Sequence, residues 1–265
     1  MTTHQVHVDA RSAVLNSKNS SFTIQLNENL QLGPDTTYRI DQFRMVNAMP
    51  NITAQNQNMY VHINGSVHVV PLPPGYYTAQ GLTQIMPAQL DSYAGNGWGV
   101  TWDSTQNFFR ITNNTAFHLV NDAELAAGTY VPQGNAWPSG ASASNPLSFN
   151  AMLGNYANNP ALDISSTVYQ SRFLDLQIYD YVQLRSTRLA SNRVTDVSSS
   201  HNICLKIDIN SAYGEVVTAS TPNFDSIHLG RTPHRVLDFQ ITDRFGQPIQ
   251  FLYDPKISFI LTLYG

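Results

Sequence analysis

Toward the end of the chain, apolar and polar residues trade places one at a time. In "LDFQITD" Leu237, Phe239 and Ile241 alternate with Asp238, Gln240 and Thr242, and in "PIQF" Ile249 and Phe251 alternate with Pro248 and Gln250. A period of two gathers such apolar groups on one face of a β-strand. Between the two runs, Asp243 and Gly246 suit the first and last places of a type I turn, because Asp bonds its own backbone there and Gly accepts positive φ. The stretch predicts a hairpin. The same alternation recurs at Phe22, Ile24 and Leu26, and in the closing run Ile257, Phe259, Leu261 and Leu263. "TYRIDQFRMV" begins on Tyr38 and Ile40 and then slips onto Phe43 and Met45, which predicts a bulge inside one strand. "MYVHI" and "VHVV" flank Asn64-Gly65, a strong two-residue hairpin signal.

One segment has helical spacing. Leu82, Ile85, Met86 and Leu90 follow Thr78 as N-cap, and Pro87 is expected to kink or shorten the helix. From Asn121 to Pro146 the residues turn to Gly, Pro, Ala and Ser without a period, predicting a long loop that carries Trp137. Trp137 is large enough that it is expected to pack on its own subunit or on a neighbour. Many short strands, one helix and no repeated βα pattern predict an all-β, antiparallel sandwich or jelly roll. One domain over 1–265, elaborated at about 121–146, is the expected organisation.

Composition narrows the function classes. Only 12% of the 265 residues are charged and the net charge is −4, so the polar surface comes mainly from Asn, Gln, Ser and Thr. A surface of this kind repels its own copies weakly and suits a protein that packs against neighbours. Arg185, Arg188 and Arg193 are the nearest approach to a basic cluster, and a mildly acidic chain without a phosphate-binding track makes nucleic acid an unfavoured partner. These arginines are expected to pair with carboxylates or carbonyls at a subunit contact. Cys204 is the single cysteine, which excludes an intrachain disulfide framework and points to a reducing compartment or to assembly inside a cell. No window approaches the ~20 apolar residues of a membrane helix, and "MTTHQVHVDARS" lacks a signal-peptide core, so the chain is expected to be soluble and unprocessed at its start.

Local catalytic and cofactor motifs are absent from the sequence: there is no P-loop, dinucleotide fingerprint, nucleophile elbow or H-E-x-x-H helix. The expectation is no enzyme, no cofactor and no metal. His62 and His68 flank the Asn64-Gly65 turn, but a two-residue loop sends their rings to opposite faces and no third ligand is near in sequence. In "NICLKIDI", Ile203, Leu205, Ile207 and Ile209 share one face, so Cys204 is expected to point away from the core under a loop or neighbour. Lys206 and His201 supply only a thin case for a nucleophile there. "DINSAYGE" lacks the frame of a calcium loop and reads as a strand end with a turn at Gly214.

Taken in order, the segments resemble the penton, or minor capsid, proteins of virophages and polinton-like double-stranded DNA viruses. The resemblance is carried by "SFTIQLNENLQLGPDTTYRIDQFRMVNAMPNI", then "PLPPGYYTAQGLTQIMPAQL" and "NAMLGNY" with Leu153-Gly154. It continues through "YVQLRSTRL", "GEVV", "LDFQITDRFGQPIQF" and the closing strand. After Leu153-Gly154 the chain has Asn155-Tyr156 where the family usually has Phe. What the resemblance implies is a single jelly roll of about eight core strands, five copies of which ring the five-fold vertices of an icosahedral shell. It implies as partners the other copies and trimers of a double jelly-roll major capsid protein; a host receptor is a further candidate partner. It also implies the virion vertex as the location, after assembly inside the host cell. Trp137, Arg185 and Arg188 are the expected interface residues. The competing reading is a carbohydrate- or receptor-binding jelly-roll module in which an exposed Trp98, Trp102 or Trp137 stacks on a sugar.

Overall fold

A computed structural model describes residues 3–15, 20–30, 36–132, 148–155, 166–189, 202–222, 227–228 and 234–265. The chain divides into two compact units: residues 1–49 with 179–265, and residues 50–178. In chain order, β1 (Thr3–Asp9), β2 (Val14–Leu15), β3 (Ser21–Leu30) and β4 (Thr37–Val46) open the first unit. The second unit holds β5 (Asn58–Ile63), β6 (Ser66–Pro71), α1 (Ala79–Ala94), β7 (Gly99–Asp103), β8 (Phe108–Leu119), α2 (Asp122–Ala126), α3 (Phe149–Met152) and β9 (Ser166–Gln170). The chain then returns to the first unit with β10 (Tyr181–Arg185), β11 (Ile203–Asp208), β12 (Val216–Ala219), β13 (Ile227–His228), β14 (His234–Thr242) and β15 (Ser258–Tyr264).

In the first unit, one sheet runs β1-β15-β4-β12, with β13 also on β4, and the other runs β11-β10-β14-β3-β2. Every pairing is antiparallel. From β1 to β3 to β4 to β10 the chain changes sheet at each step, and it does so again from β11 to β12 to β14 to β15. That alternation between two five-stranded antiparallel sheets is a jelly roll. The predicted alternation is what fills it: Phe22, Tyr38, Ile40, Leu237, Phe239, Ile241, Phe259, Leu261 and Leu263 all lie in one buried cluster. Phe239 stacks on Phe22 at 5.4 Å in its own sheet and meets Phe259 of the other sheet edge-on at 5.0 Å. Phe259 in turn stacks on Phe43 at 6.0 Å. Each such ring contributes about 2–3 kcal/mol by burial, and together they lock the sheets face to face.

Two irregularities decide which side chains reach this core. In β4 the register with β15 slips between Ser258↔Arg44 and Ile260↔Asp41, and Gln42 takes φ 51°. The slip moves the inward row from Tyr38 and Ile40 onto Phe43 and Met45, as the hydrophobic pattern predicts. In β11 the register slips as well: Leu184 faces Leu205 but Arg185 faces Ile203, which leaves Cys204 as the extra residue. The expectation for Cys204 is therefore corrected. Strict alternation places its sulfur away from the core, but the bulge turns it inward, and Cys204 lies 1% exposed within the core cluster.

In the second unit, β6-β5-β8-β7 form one sheet, with β9 also on β8. Met59, Val61, Ile63, Phe109 and Ile111 pack on one face with Leu82, Met86 and Leu90 of α1. Tyr60, Val67, Val120 and Leu125 form a smaller cluster. Thr78 caps α1 by accepting the Gly81 N–H at 3.0 Å, and the helix continues through Pro87 to Ala94. The buried row Ala79, Leu82, Met86, Leu90 and Ala94 extends over four turns, and that packing offsets the N–H lost at Pro87. The sequence predicts a single helix, and the described residues contain three α-helices and a short 3-10 turn at Ala10–Ser12. The loop predicted from Asn121 opens with a capped helix, in which the Asn121 side chain accepts the Glu124 N–H (2.9 Å) and Glu124 accepts the Asn121 N–H (2.8 Å). One domain with an elaboration at about 121–146 is the expectation from the sequence; residues 50–178 form a compact unit between β4 and β10. Strand periodicity is the same in both units, so it carries no mark of which sheet a strand joins.

Candidate assembly surface

The Asp243–Gly246 turn on the first unit is held by several hydrogen bonds. The Asp243 carboxylate accepts the N–H groups of Phe245 and Gln247, both at 2.8 Å. The Asp243 N–H donates to the Gln247 carbonyl at 2.9 Å, and Gly246 closes the turn at φ 82°. Arg185 of β10 lies against this turn, close enough that a Cβ on Gly246 would stand 3.3 Å from its guanidinium nitrogens. Its guanidinium donates to Gln183 Oε1 at 2.6 Å. Burial holds the Arg185 pKa below the ordinary arginine value, with Asp243 acting in the opposite sense. At the tip, Arg244 sits 4.7 Å from the ring centroid of Phe245, which is 41% exposed. A rigid turn therefore presents an aromatic ring and a cation to solvent.

Arg188 is exposed and enters a neighbouring cluster through its backbone. Asp238 accepts the Arg188 N–H (3.0 Å), the Thr187 N–H (3.1 Å) and the Thr187 hydroxyl (2.7 Å). Burial alone would raise the Asp238 pKa, but these donors hold it below the ordinary carboxylate range. Asp238 was read only as the polar member of an alternating pair, and nothing local in sequence marks it as the anchor of a loop some 50 residues away. Elsewhere on this unit, Val216, Val236, Leu252 and Tyr253 are exposed, and Tyr213 meets Tyr253 edge-on at 5.8 Å. Large exposed apolar groups on a weakly charged surface are the material of a protein interface.

On the second unit, Asn64 (φ 52°) and Gly65 (φ 76°) form the two-residue turn between β5 and β6. His62 faces Val67 and His68 faces Val61, so the two imidazoles lie on opposite faces. His62 instead neighbours His118 across β8, and Tyr130 lies over both rings at 4.9 and 5.4 Å. The His118 ring nitrogen Nε2 bonds Glu124 at 2.9 Å. Burial would raise the Glu124 pKa, yet the contacts with His118 and the Asn121 N–H bring it below its ordinary value. The Asn121-x-x-Glu124 spacing, a capping-box pattern inside the stretch read as loop, is the local sequence signal that could have marked this arrangement. Among the described residues no three His, Cys, Asp or Glu groups lie close enough to hold a metal ion, and no helix is long and apolar enough to cross a membrane.

The sequence-nominated aromatic residues divide. Trp98 is 6% exposed, edge-on to Phe117 at 4.6 Å, and Trp102 packs against the same core. The sugar-stacking role is corrected for Trp98, which is buried in the core beside β7, whereas Trp102 is only partly covered. Trp137 and Arg193 lie outside the described residues, as does His201. Lys206 points away from Cys204 and pairs with Asp208 at 3.0 Å, over the ring of Tyr181.

No family model and no curated protein matches the chain. Among solved structures, the chain is similar to the crystal structure of a selenomethionine-labelled mavirus penton protein, with a TM-score of 0.53 and 11% identity. The correspondence covers 99% of this chain and 98% of that one. The fold is thus an antiparallel β-sandwich of the penton-like kind, with both units inside the correspondence.

Proposed function

We propose that this chain is a structural penton protein: five copies form a ring at the five-fold vertices of an icosahedral viral shell, in contact with trimers of a double jelly-roll major capsid protein. The observation that carries the reading is the end-to-end correspondence with the mavirus penton protein, inserted unit included. A shared jelly roll alone would mean little, because that fold hosts many functions. A match over both units is a more specific likeness. The chemistry of the surface agrees with the reading. The chain presents exposed aromatics on stiff turns, few charges to desolvate and carboxylates occupied in holding loops rather than gathered in a cleft. The role is one of shape and contact, without catalysis, exercised in the virion after assembly in the host cell.

Reconstruction of purified particles tests this directly. The expected result is density at the five-fold vertices that fits the jelly roll with five-fold multiplicity. Density accounted for at every vertex by another protein, or absence of the chain from the particle, would end the reading.

A further inference from the structure

The two sheets of the jelly roll end differently. The path β1-β15-β4-β12 has four strands, every neighbouring pair antiparallel, so its terminal strands β1 and β12 run in opposite directions. The path β11-β10-β14-β3-β2 has five, so its terminal strands run the same way. Copies related by rotation about an axis along the strands keep their strand directions. Placed head to tail, only the four-strand sheet continues across the boundary as an antiparallel ladder.

The main-chain groups meet the same condition. The Ala10 N–H donates to the Ile257 carbonyl at 2.9 Å, and main-chain groups alternate sides along a strand. His4, Val6 and Val8 therefore bond toward β15, while Gln5 and His7 turn their N–H and C=O groups outward. On the opposite edge, the Asn47 N–H donates to the Glu215 carbonyl at 2.8 Å, so Val217 bonds toward β4 while Val216 and Thr218 face outward. The side chains follow suit. Val8 and Val217 face the core at 2% and 0% exposure, whereas Gln5, His7, Val216 and Thr218 are exposed. Setting His7 opposite Val216 and Gln5 opposite Thr218 pairs outward-bonding residues with each other and brings Val6 level with Val217 on the core face.

Neither strand carries a charged or proline guard on its outer edge. β1 contains no Lys or Pro, and its one charge, Asp9, is held by Arg11 with Nε 3.0 Å from Oδ1. β12 is "VVTA", without charge. Natural edge strands that are to stay single carry such protection. Among the described residues, β1 pairs with β15 alone and β12 with β4 alone.

We propose that copies of this chain join by pairing the outer edge of β1 with the outer edge of β12 on the next copy, so that one sheet runs on through the subunit boundary. The contact joins two different patches, the kind that closes into a ring. It rests on the reading that the chain assembles with itself.

The test uses the full chain in three forms beside the wild type, with sedimentation reading assembly and far-ultraviolet circular dichroism reading the fold. His7→Pro removes an outward N–H and leaves the bonds to β15 in place. Gln5→Lys with Thr218→Lys sets like charges across the pairing, and Gln5→Lys with Thr218→Glu sets opposite ones. The expected result is a wild type that sediments as an oligomer, His7→Pro and the Lys/Lys form reduced to monomer with an unchanged spectrum, and the Lys/Glu form restored. A wild type monomeric at every concentration, variants that assemble like the wild type, or a Lys/Glu form no better than Lys/Lys would each overturn the pairing. The vertex role is read separately, from particles. Vertex density with unaffected variants removes only the edge pairing, and absence from the vertex removes the penton reading.

Discussion

Gly246→Ala tests the turn that underlies the candidate surface. At φ 82° an L side chain is strained, and the left-handed region costs an alanine about 1–2 kcal/mol. A second effect is steric: the new methyl would stand 3.3 Å from the Arg185 nitrogens, tighter than ordinary contact. The guanidinium is the far end of a flexible side chain, so it yields by a few tenths of an ångström, and backbone strain is the larger effect. Asn, which tolerates this region, separates the two, because Gly246→Asn brings the same Cβ contact with less strain. In urea, with a slope of about 2 kcal/mol per molar, Gly246→Ala should lower the midpoint by about 0.5–1 M and Gly246→Asn by less. Far-ultraviolet circular dichroism is the assay, because all three tryptophans lie within 50–178 and their fluorescence reports the other unit. An alanine variant as stable as the wild type would refute the strain argument. An asparagine variant at least as damaged as the alanine would shift the cause to Arg185.

Other outcomes follow from the same structure. Phe239→Ala removes a ring that bridges the two sheets and should destabilise the first unit by about 3–5 kcal/mol in urea unfolding, well beyond Phe239→Leu. Asn121→Ala deletes one half of the capping box on α2 and should cost about 1 kcal/mol, read by the tryptophan transition of the second unit. The Asp238 carboxyl is held below its ordinary pKa, so its contribution is present above the unfolded-state value of about 4 and is lost as pH falls through the folded-state value. The stability gap between wild type and Asp238→Asn should accordingly narrow below about pH 4, and a gap that stays constant there would show that the carboxylate's charge is not what holds the 186–188 loop. Cys204, 1% exposed, should resist a thiol reagent in the native protein and react fully in denaturant.

Strand character was legible in the sequence wherever one face of a sheet is buried, because a period of two is the direct imprint of a half-buried strand. Phe22, Ile40, Phe239 and Leu261 announce themselves in this way, as do the bulge before Phe43 and the turns at Asn64-Gly65 and Asp243–Gly246, where backbone geometry demands particular residue types. Such signals are local. Whether a strand joins the jelly roll depends, for β1 and β4 on β15 and for β3 on β14, on partners more than two hundred residues away, and the strands of both units obey the same alternation. Cys204 shows the same limit at the scale of one residue, since the extra residue in β11 exists only relative to its partner β10. Asp238 gains its role only when folding carries the 186–188 loop to it, and Trp98 becomes a core residue only when Phe117 of β8 folds against it. Sequence determined the rows, the bulge in β4 and the turns, because each arises from neighbours along the chain. Tertiary structure alone decided the division into two units, the inward thiol and the opposed directions of β1 and β12, because each is a relation between segments that meet only in space.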